Sequence, residues 1–287
     1  MVHVAIPGGV WRGDVLCAAG LQREFPLRPV AGEDEAFLLD TVDSAVPSER
    51  ANALLTRCLG DENAEELARS LTIGDREALL LHLRRLTLGD VIDCVLLCPI
   101  VDCGERIQME LRTSDLLVPE YDDVRREYSI AVEEEGIESC VDFRLPTSVD
   151  LDLAAGIAVR DPERGAKAMF ERCVLRARRG DSPLTIDAFS PALRDSVIRA
   201  MADRDPQAEI ELAVRCPACA SAFSVIFDTA TFFLQELDAR AAHLMREVHT
   251  LAWYYHWSER EIVKMSRHRR AQYLELIAEA VVRARPR

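Results

Sequence analysis

Two runs of strict alternation organise the chain. In the first, Ile92, Cys94 and Leu96 alternate with Asp93, Val95 and Leu97; in the second, Ile210, Leu212 and Val214 alternate with Glu209, Glu211, Ala213 and Arg215. Each run ends on a Cys-Pro step and is followed by a second alternating set: Ile107, Met109 and Leu111 after the first, Phe223, Val225 and Phe227 after the second. A period of two marks a strand with one buried face. The sequence thus predicts two copies of strand, knuckle and strand, 118 residues apart from Cys98 to Cys216.

Helical periods surround the two copies. Residues 1–30 carry Pro7, Gly8, Gly9, Gly13, Pro26 and Pro29 and read as an irregular, partly disordered lead-in, extended from Leu21 to Val30, in which Trp11 and Val15-Leu16 are free to dock locally or on a partner. Residues 31–90 read as helical. Glu33-Asp34-Glu35 open a helix through Leu39, Ser48 is the expected N-cap of a second with Leu54, Leu55, Cys58 and Leu59 on one face, and Asp61 to Ser70 continue helically. Over 72–86, Thr72-Ile73-Gly74-Asp75 resembles a capping box, Leu79, Leu80, Leu83 and Leu86 form a stripe, and Arg76, Arg84 and Arg85 fall largely outside it. His82 reads as an edge residue of that helix, not a ligand.

Between the copies, residues 112–208 form a mixed insert. It holds a polar, partly extended stretch to 140, with Glu133-Glu134-Glu135 as a solvated face. A short strand over 141–147 follows, then a helix from Asp150. Next comes a helix over 162–179 burying Ala166, Met169, Phe170, Cys173 and Val174, and one from Ser190-Pro191 to Met201. In residues 229–287, Asp228 caps a long helix with Phe232, Phe233, Leu237, Leu244, Val248 and Leu251 inward. An aromatic turn, Trp253-Tyr254-Tyr255-His256-Trp257, and the capping box Ser258-Glu259-Arg260-Glu261 lead into a last helix.

The candidate chemistry lies in the knuckles, Cys98-Pro99-Ile100-Val101-Asp102-Cys103 and Cys216-Pro217-Ala218-Cys219. A single C-x-x-C is a weak signal. Two Cys-Pro knuckles in matching strand contexts point to one tetrahedral site in which Cys98, Cys103, Cys216 and Cys219 bind a structural zinc. The plainer reading is two unrelated pairs of buried thiols. A redox C-x-x-C opens a helix, whereas strands flank these, and four thiolates leave no position for a catalytic water. Cys94 aligns with Leu212 and reads as a core position, not a fifth ligand.

Composition narrows the rest. The chain of 287 residues has ordinary globular content, 49% hydrophobic and 29% charged. It has no apolar run of the roughly 18 residues a bilayer span needs. Nine cysteines without a signal-like N-terminus suggest a reducing, cytoplasmic location. The net charge of −14 argues against nucleic acid as a partner, because such binding relies on neutralising phosphates. Of the 35 basic residues only Lys167 and Lys264 are lysine. No nucleotide loop, nucleophile elbow or paired-histidine metal motif is present, so an enzyme is not expected. Two features read as possible interaction surfaces: the aromatic residues Trp253, Tyr254 and Trp257, and a basic patch of Arg267, Arg269 and Arg270 with Arg283, Arg285 and Arg287.

Several short stretches carry a family resemblance. They are Leu71-Thr72-Ile73-Gly74-Asp75-Arg76-Glu77, the Cys98–Glu105 knuckle, Phe143-Arg144-Leu145-Pro146-Thr147, Cys216-Pro217-Ala218-Cys219, Arg246-Glu247-Val248-His249, and Trp253 to Glu259. Together, over about residues 20–280, the chain resembles the baseplate hub assembly chaperones of T-even-type phages. The likeness is to the longer, cysteine-bearing form found beside phage-tail-like contractile injection systems. The resemblance implies a non-enzymatic role in building the baseplate or hub, with baseplate, hub or spike proteins as partners. Ala220 departs from the pattern, standing where a Gly often follows the last Cys; that costs little if the turn is not left-handed.

The expectation is an α+β protein, predominantly helical, with a zinc-ribbon-like pair of hairpins (91–111 and 209–228) joined by the mixed insert. Its function would be assembly or construction of a contractile-tail baseplate. The alternative is a zinc-ribbon nucleic-acid-binding or regulatory protein.

Overall fold

The structure is a computed structural model describing residues 1–12, 20–41 and 46–284. Most of the described residues of 1–30 are not an irregular lead-in. Val2–Trp11 (β1) and Leu21–Leu27 (β2) pair antiparallel, Val2 opposite Leu27 and Val4 opposite Phe25. Pro7, Gly8 and Gly9 do not end β1; the register shifts between Ala5 and Val10, with Gly9 at φ +105°. Proline and glycine are compatible with a strand at such an irregularity. Val4, Ile6, Phe25 and Leu27 are buried in the main core. Val15 and Leu16 lie outside the described residues.

Four helices follow: Gly32–Thr41 (α1), Pro47–Cys58 (α2), Ala64–Ser70 (α3) and Ile73–Leu88 (α4). Ser48 is not a cap; Val46 is, Pro47 takes the first helical position, and Ser48 is buried inside the helix. The core builds around α4, where Ala78, Leu79, Leu80, Leu81 and Leu83 are all fully buried. This helix has no solvent face in its first turns. Arg76 and Arg84, expected outside the stripe, are buried. Arg76 donates to Asn52 Oδ1 at 2.7 Å, to Ser48 O and to Glu77. Arg84 forks onto Glu236 at 2.9 and 3.0 Å and reaches Gly89 O. Buried guanidinium groups of this kind persist only when carboxylates and carbonyls meet them.

The first alternating copy forms Val91–Leu97 (β3) and Arg106–Arg112 (β4), followed by a single turn, Thr113–Leu116 (α5). The insert then builds its own core. Tyr128–Glu134 (β5) and Ile137–Phe143 (β6) form a hairpin. Its turn residues Glu135 and Gly136 both have positive φ, as a two-residue hairpin turn with φ > 0 at both central positions requires. The glutamate run is thus a strand end and a turn. Helices Ser148–Ala158 (α6) and Pro162–Cys173 (α7) come next, then Val174–Arg179 (β7) and Ser182–Pro183 (β8), giving an antiparallel sheet in the order β5-β6-β7-β8. The helix expected to reach 179 therefore stops at Cys173. Val174 to Arg179 pair with β6 instead, and Ala166 is exposed while Phe170 and Cys173 are buried. Pro191–Arg204 (α8), capped by the Ser190 hydroxyl, closes this core through Leu193 and Val197.

The chain returns through Glu211–Arg215 (β9) and Ala222–Ile226 (β10) into the long helix Thr229–Tyr255 (α9), capped by Asp228. Glu259–Val263 (α10) begins with the expected capping box, and Arg267–Ala284 (α11) packs back on α9. The result is a mixed α+β protein with small antiparallel sheets, as expected.

The N-terminus of α4 joins the parts. Its first amides need partners from outside the helix. The Ile73 N–H donates to Pro146 O of the insert at 3.1 Å, that of Gly74 to the Asp205 carboxylate at 2.9 Å, and that of Asp75 to the Thr72 hydroxyl at 3.2 Å. The Asp75 carboxylate receives the Gly8 and Gly9 N–H groups of β1, both at 2.8 Å. Tyr121 donates its hydroxyl to Asp205 at 3.0 Å. Gly74 is required by this approach, because a Cβ there would lie 1.9 Å from Asp205 Oδ1.

Asp205 is pushed up to about 6 by burial and by the Asp75 charge, against the Gly74 N–H and the Tyr121 hydroxyl that favour its ionised form. A raised folded-state value stabilises the protonated form, so this stabilisation is complete below the unfolded value near 3.8 and lost as pH rises through about 6. Wild type should therefore lose about 2 kcal/mol relative to Asp205→Asn between pH 4 and pH 7. Urea unfolding of both proteins across that range measures the difference, in which the titrating groups remote from position 205 cancel. A difference that does not change with pH would contradict the assignment.

Candidate metal centre

In each hairpin the inward positions of the strands pack together and carry the knuckle at the tip. Cys94 pairs with Met109 and Leu96 with Ile107 in the first; Leu212 pairs with Val225 and Val214 with Phe223 in the second. These side chains form two small apolar clusters, one around Leu81, Ile92 and Cys94, the other directly beneath Cys98 and Cys216. Cys94 lies in the first cluster and is not part of the thiol group.

The knuckles themselves have one design. The amide of Cys98 donates to Glu105 O and that of Cys216 to Ser221 O, both at 2.9 Å, which closes each loop. The residue after the second cysteine is left-handed in both, Gly104 at φ +57° and Ala220 at φ +59°. The Ala220 turn is therefore left-handed, contrary to the reading under which alanine there costs little.

The four sulfurs meet. Cys98, Cys103, Cys216 and Cys219 place their Sγ atoms within 4.8 Å of one another. The contacts cross between knuckles: Cys98 to Cys219 and Cys103 to Cys216, each 3.7 Å. That is far beyond a disulfide bond of about 2.05 Å. It fits four thiolates arranged tetrahedrally around an ion at about 2.3 Å, which sets them about 3.8 Å apart. Cys98 and Cys216 are buried, Cys103 is half-buried and Cys219 is exposed.

Backbone amides two residues further on face the sulfurs: Ile100 toward Cys98, Glu105 toward Cys103 and Ser221 toward Cys219. Such N–H donors favour the thiolate form and orient it. At Cys219 the Ser221 hydroxyl and amide together draw the thiol down to about 6. At Cys98 the Ile100 amide is outweighed by burial and the neighbouring thiols, which push it up to about 12. Four sulfurs this close cannot all ionise without a cation between them. The donor set can therefore bind a metal ion, with backbone N–H groups facing three of its four sulfurs.

The other candidate residues do not join this cluster. Trp253, 71% exposed, and Tyr254 project from the end of α9. Trp257 is half-buried and stacks on Tyr255 with ring centroids 4.5 Å apart, its edge against Tyr273. Arg267 and Arg269 are exposed, the latter over the Tyr273 ring. Arg270 is not on the basic patch at all. It is 1% exposed and bonds Glu35 and Glu247, both at 2.8 Å, tying α11 to α1 and α9. Glu35 lies 235 positions away, so no local pattern could announce the pair. Arg285 and Arg287 are outside the described residues.

Fold and site together define a mixed α+β protein with a four-cysteine cluster, able to hold a metal ion, assembled from two remote hairpins. The chain belongs to the T4 bacteriophage base plate protein family, whose model matches residues 16–234. That span contains all four cysteines and ends within the first turns of α9, before the aromatic stretch. No curated protein and no solved structure matches the chain.

The left-handed Ala220 generates a local prediction. A non-glycine residue in that region costs about 1–2 kcal/mol, part of which glycine returns through unfolded-state entropy. Ala220→Gly should raise stability by up to about 1 kcal/mol, read from denaturant midpoints of the metal-loaded proteins. The matching Gly104→Ala should lower it.

Proposed function

We propose that this protein is a non-enzymatic assembly factor or structural component of the baseplate or hub of a contractile, phage-tail-like injection system, held in shape by one structural zinc. The observation that carries the reading is the family match together with its content: the matched span includes both knuckles and the α4 stitching that positions them. The stretches that carry the resemblance have architectural uses. Phe143 is a core residue, Arg144 forks onto buried Asp150 at 2.6 and 2.9 Å, Pro146 accepts from Ile73, and Thr147 caps α6. Burial alone would raise Asp150; Arg144, the Thr147 amide and Arg172 outweigh it and hold the carboxyl below the usual range.

Zinc is the ion that suits four thiolates in a closed tetrahedral shell in a reducing cytoplasm. When bound it contributes a cross-link, not a reactive centre. Cys103 and Cys216 are 113 positions apart, and closing a loop of that length in the unfolded chain would contribute about 4–5 kcal/mol, by analogy with a disulfide. The partners would be baseplate, hub or spike subunits. Trp253 and Tyr254, with Arg267 and Arg269, offer one exposed contact region for them. No helix among the described residues is long and apolar enough to cross a membrane.

Two outcomes test the reading. Protein purified without chelator should carry about one zinc per chain, and Cys216→Ser with Cys219→Ser should lose it, with a large drop in melting temperature. A folded, metal-free wild type would remove the zinc. Separately, the tagged chain in its own host should be found by mass spectrometry with tail subunits. Recovery from sedimented particles at fixed stoichiometry identifies a permanent component. Recovery with baseplate or spike subunits only in the soluble fraction identifies an assembly factor. Recovery with nucleic acid and no tail subunit would overturn the reading, against the direction of the net charge of −14.

A further inference from the structure

The two hairpins match on their inner faces and differ on their outer ones. On the second, the outward pairs are Glu211 with Ile226, Ala213 with Ser224 and Arg215 with Ala222, and the knuckle between the cysteines is Pro217-Ala218. On the first, they are Val91 with Arg112, Asp93 with Glu110, Val95 with Gln108 and Leu97 with Arg106, all exposed. Its knuckle adds exposed Ile100 and Val101. Leu97 is 67% and Val101 97% exposed. The metal cluster and the packing beneath it involve only the inner faces. The second hairpin shows that the same build needs one large apolar residue outside, Ile226 at the base. The row from Val95 to Val101 at the tip of the first is therefore not explained by the fold.

Charge on the same face points to what covers it. Asp93 and Glu110 stand directly opposite each other, and like charges at such a cross-strand pair are unfavourable. Neither has an ion-pair partner among the described residues, whereas Arg112 is already 3.8 Å from Asp90. Asp102 and Glu105 at the knuckle are exposed as well. A second copy of this chain docked face to face would bring two such carboxylate pairs together. Nucleic acid would add phosphates to them.

We propose that the outer face of the β3–β4 hairpin and its knuckle is a docking surface for a protein segment that presents apolar side chains to Val95, Leu97 and Val101 and an arginine or lysine to the Asp93–Glu110 pair. The cation relieves the cross-strand repulsion, and the apolar side chains cover the row toward the tip. In the strand direction Val95 and Leu97 lie one and two side-chain repeats from Asp93, about 7 and 14 Å, with Val101 beyond them at the tip, so a single extended segment or one helix face can meet both. The assignment rests on the hairpin itself and not on the baseplate reading.

The test uses the full-length, metal-loaded protein in its own host. A photoreactive benzophenone side chain is placed at Leu97 or Val101, and as a control at Ala213 on the outer face of the second hairpin. Cross-linked peptides are mapped by mass spectrometry. Positions 97 and 101 should cross-link to a segment of another protein carrying apolar residues with an arginine or lysine, and position 213 should not. Asp93→Lys with Glu110→Lys should lower the yield at least about tenfold, with metal content and melting temperature unchanged. Asp93→Asn with Glu110→Gln gives a milder pair should the reversal disturb folding, with a smaller fall in yield expected. A cross-link to an acidic segment, to a second copy of this chain, or to nothing would overturn the proposal. So would equal yield at 213 or indifference to both charge changes. If the segment found belongs to no tail protein, the docking surface stands and the proposed function falls.

Discussion

The N-terminus of α4 is the constraint on which the arrangement depends. A helix buried along most of its length cannot turn its unpaired first amides to water, so other parts of the chain must supply acceptors. Here two suppliers come from remote places, Pro146 from the insert and Asp205 from the return toward the second hairpin, and Thr72, the residue just before the helix, is the third. The Asp75 carboxylate then draws β1 onto the same corner. One helix start thereby fixes the N-terminal hairpin, both ends of the insert and the approach to the second knuckle. The cost is two buried carboxylates whose proton affinity burial raises, with the Asp75 charge adding to it at Asp205.

The cluster of cysteines follows from that corner. Each knuckle is locally determined, by its loop-closing amide bond and its left-handed residue after the second cysteine. Local geometry gives each knuckle only two sulfurs. The 3.7 Å contacts run between knuckles, so the site exists only when β3–β4 and β9–β10 are held side by side. The apolar residues beneath them, Leu96, Ile107, Val214 and Phe223, and the stitching of the insert to α4 provide that. A metal ion at the cluster would then lock an arrangement that packing has already brought close.

The same division shows at the C-terminal end. The aromatic stretch reads as one feature in sequence and is two in space. Trp257 stacks with Tyr255 and Tyr273 as an internal brace, while Trp253 and Tyr254 face outward. The basic patch divides likewise, with Arg269 outside and Arg270 buried between Glu35 and Glu247. A residue's type sets what it needs, and only its neighbours decide where it can go.

By itself the sequence determined the two hairpins, their inward residues, the four sulfur positions and most helix starts. Each of these depends on contacts within a few residues: period-two alternation, Cys-Pro knuckles, and caps at Thr72, Ser190, Asp228 and Ser258. Tertiary structure decided the rest. It made a strand of a segment rich in proline and glycine because Val4, Ile6, Phe25 and Leu27 had a core to enter. It ended α7 at Cys173 because β6 had an edge to pair. It buried Arg76, Arg84 and Arg270 because carboxylates up to 235 positions away came to meet them. Partners so distant leave no periodic trace in a chain; the free energy that selects them arises only when the surfaces that bury them have formed.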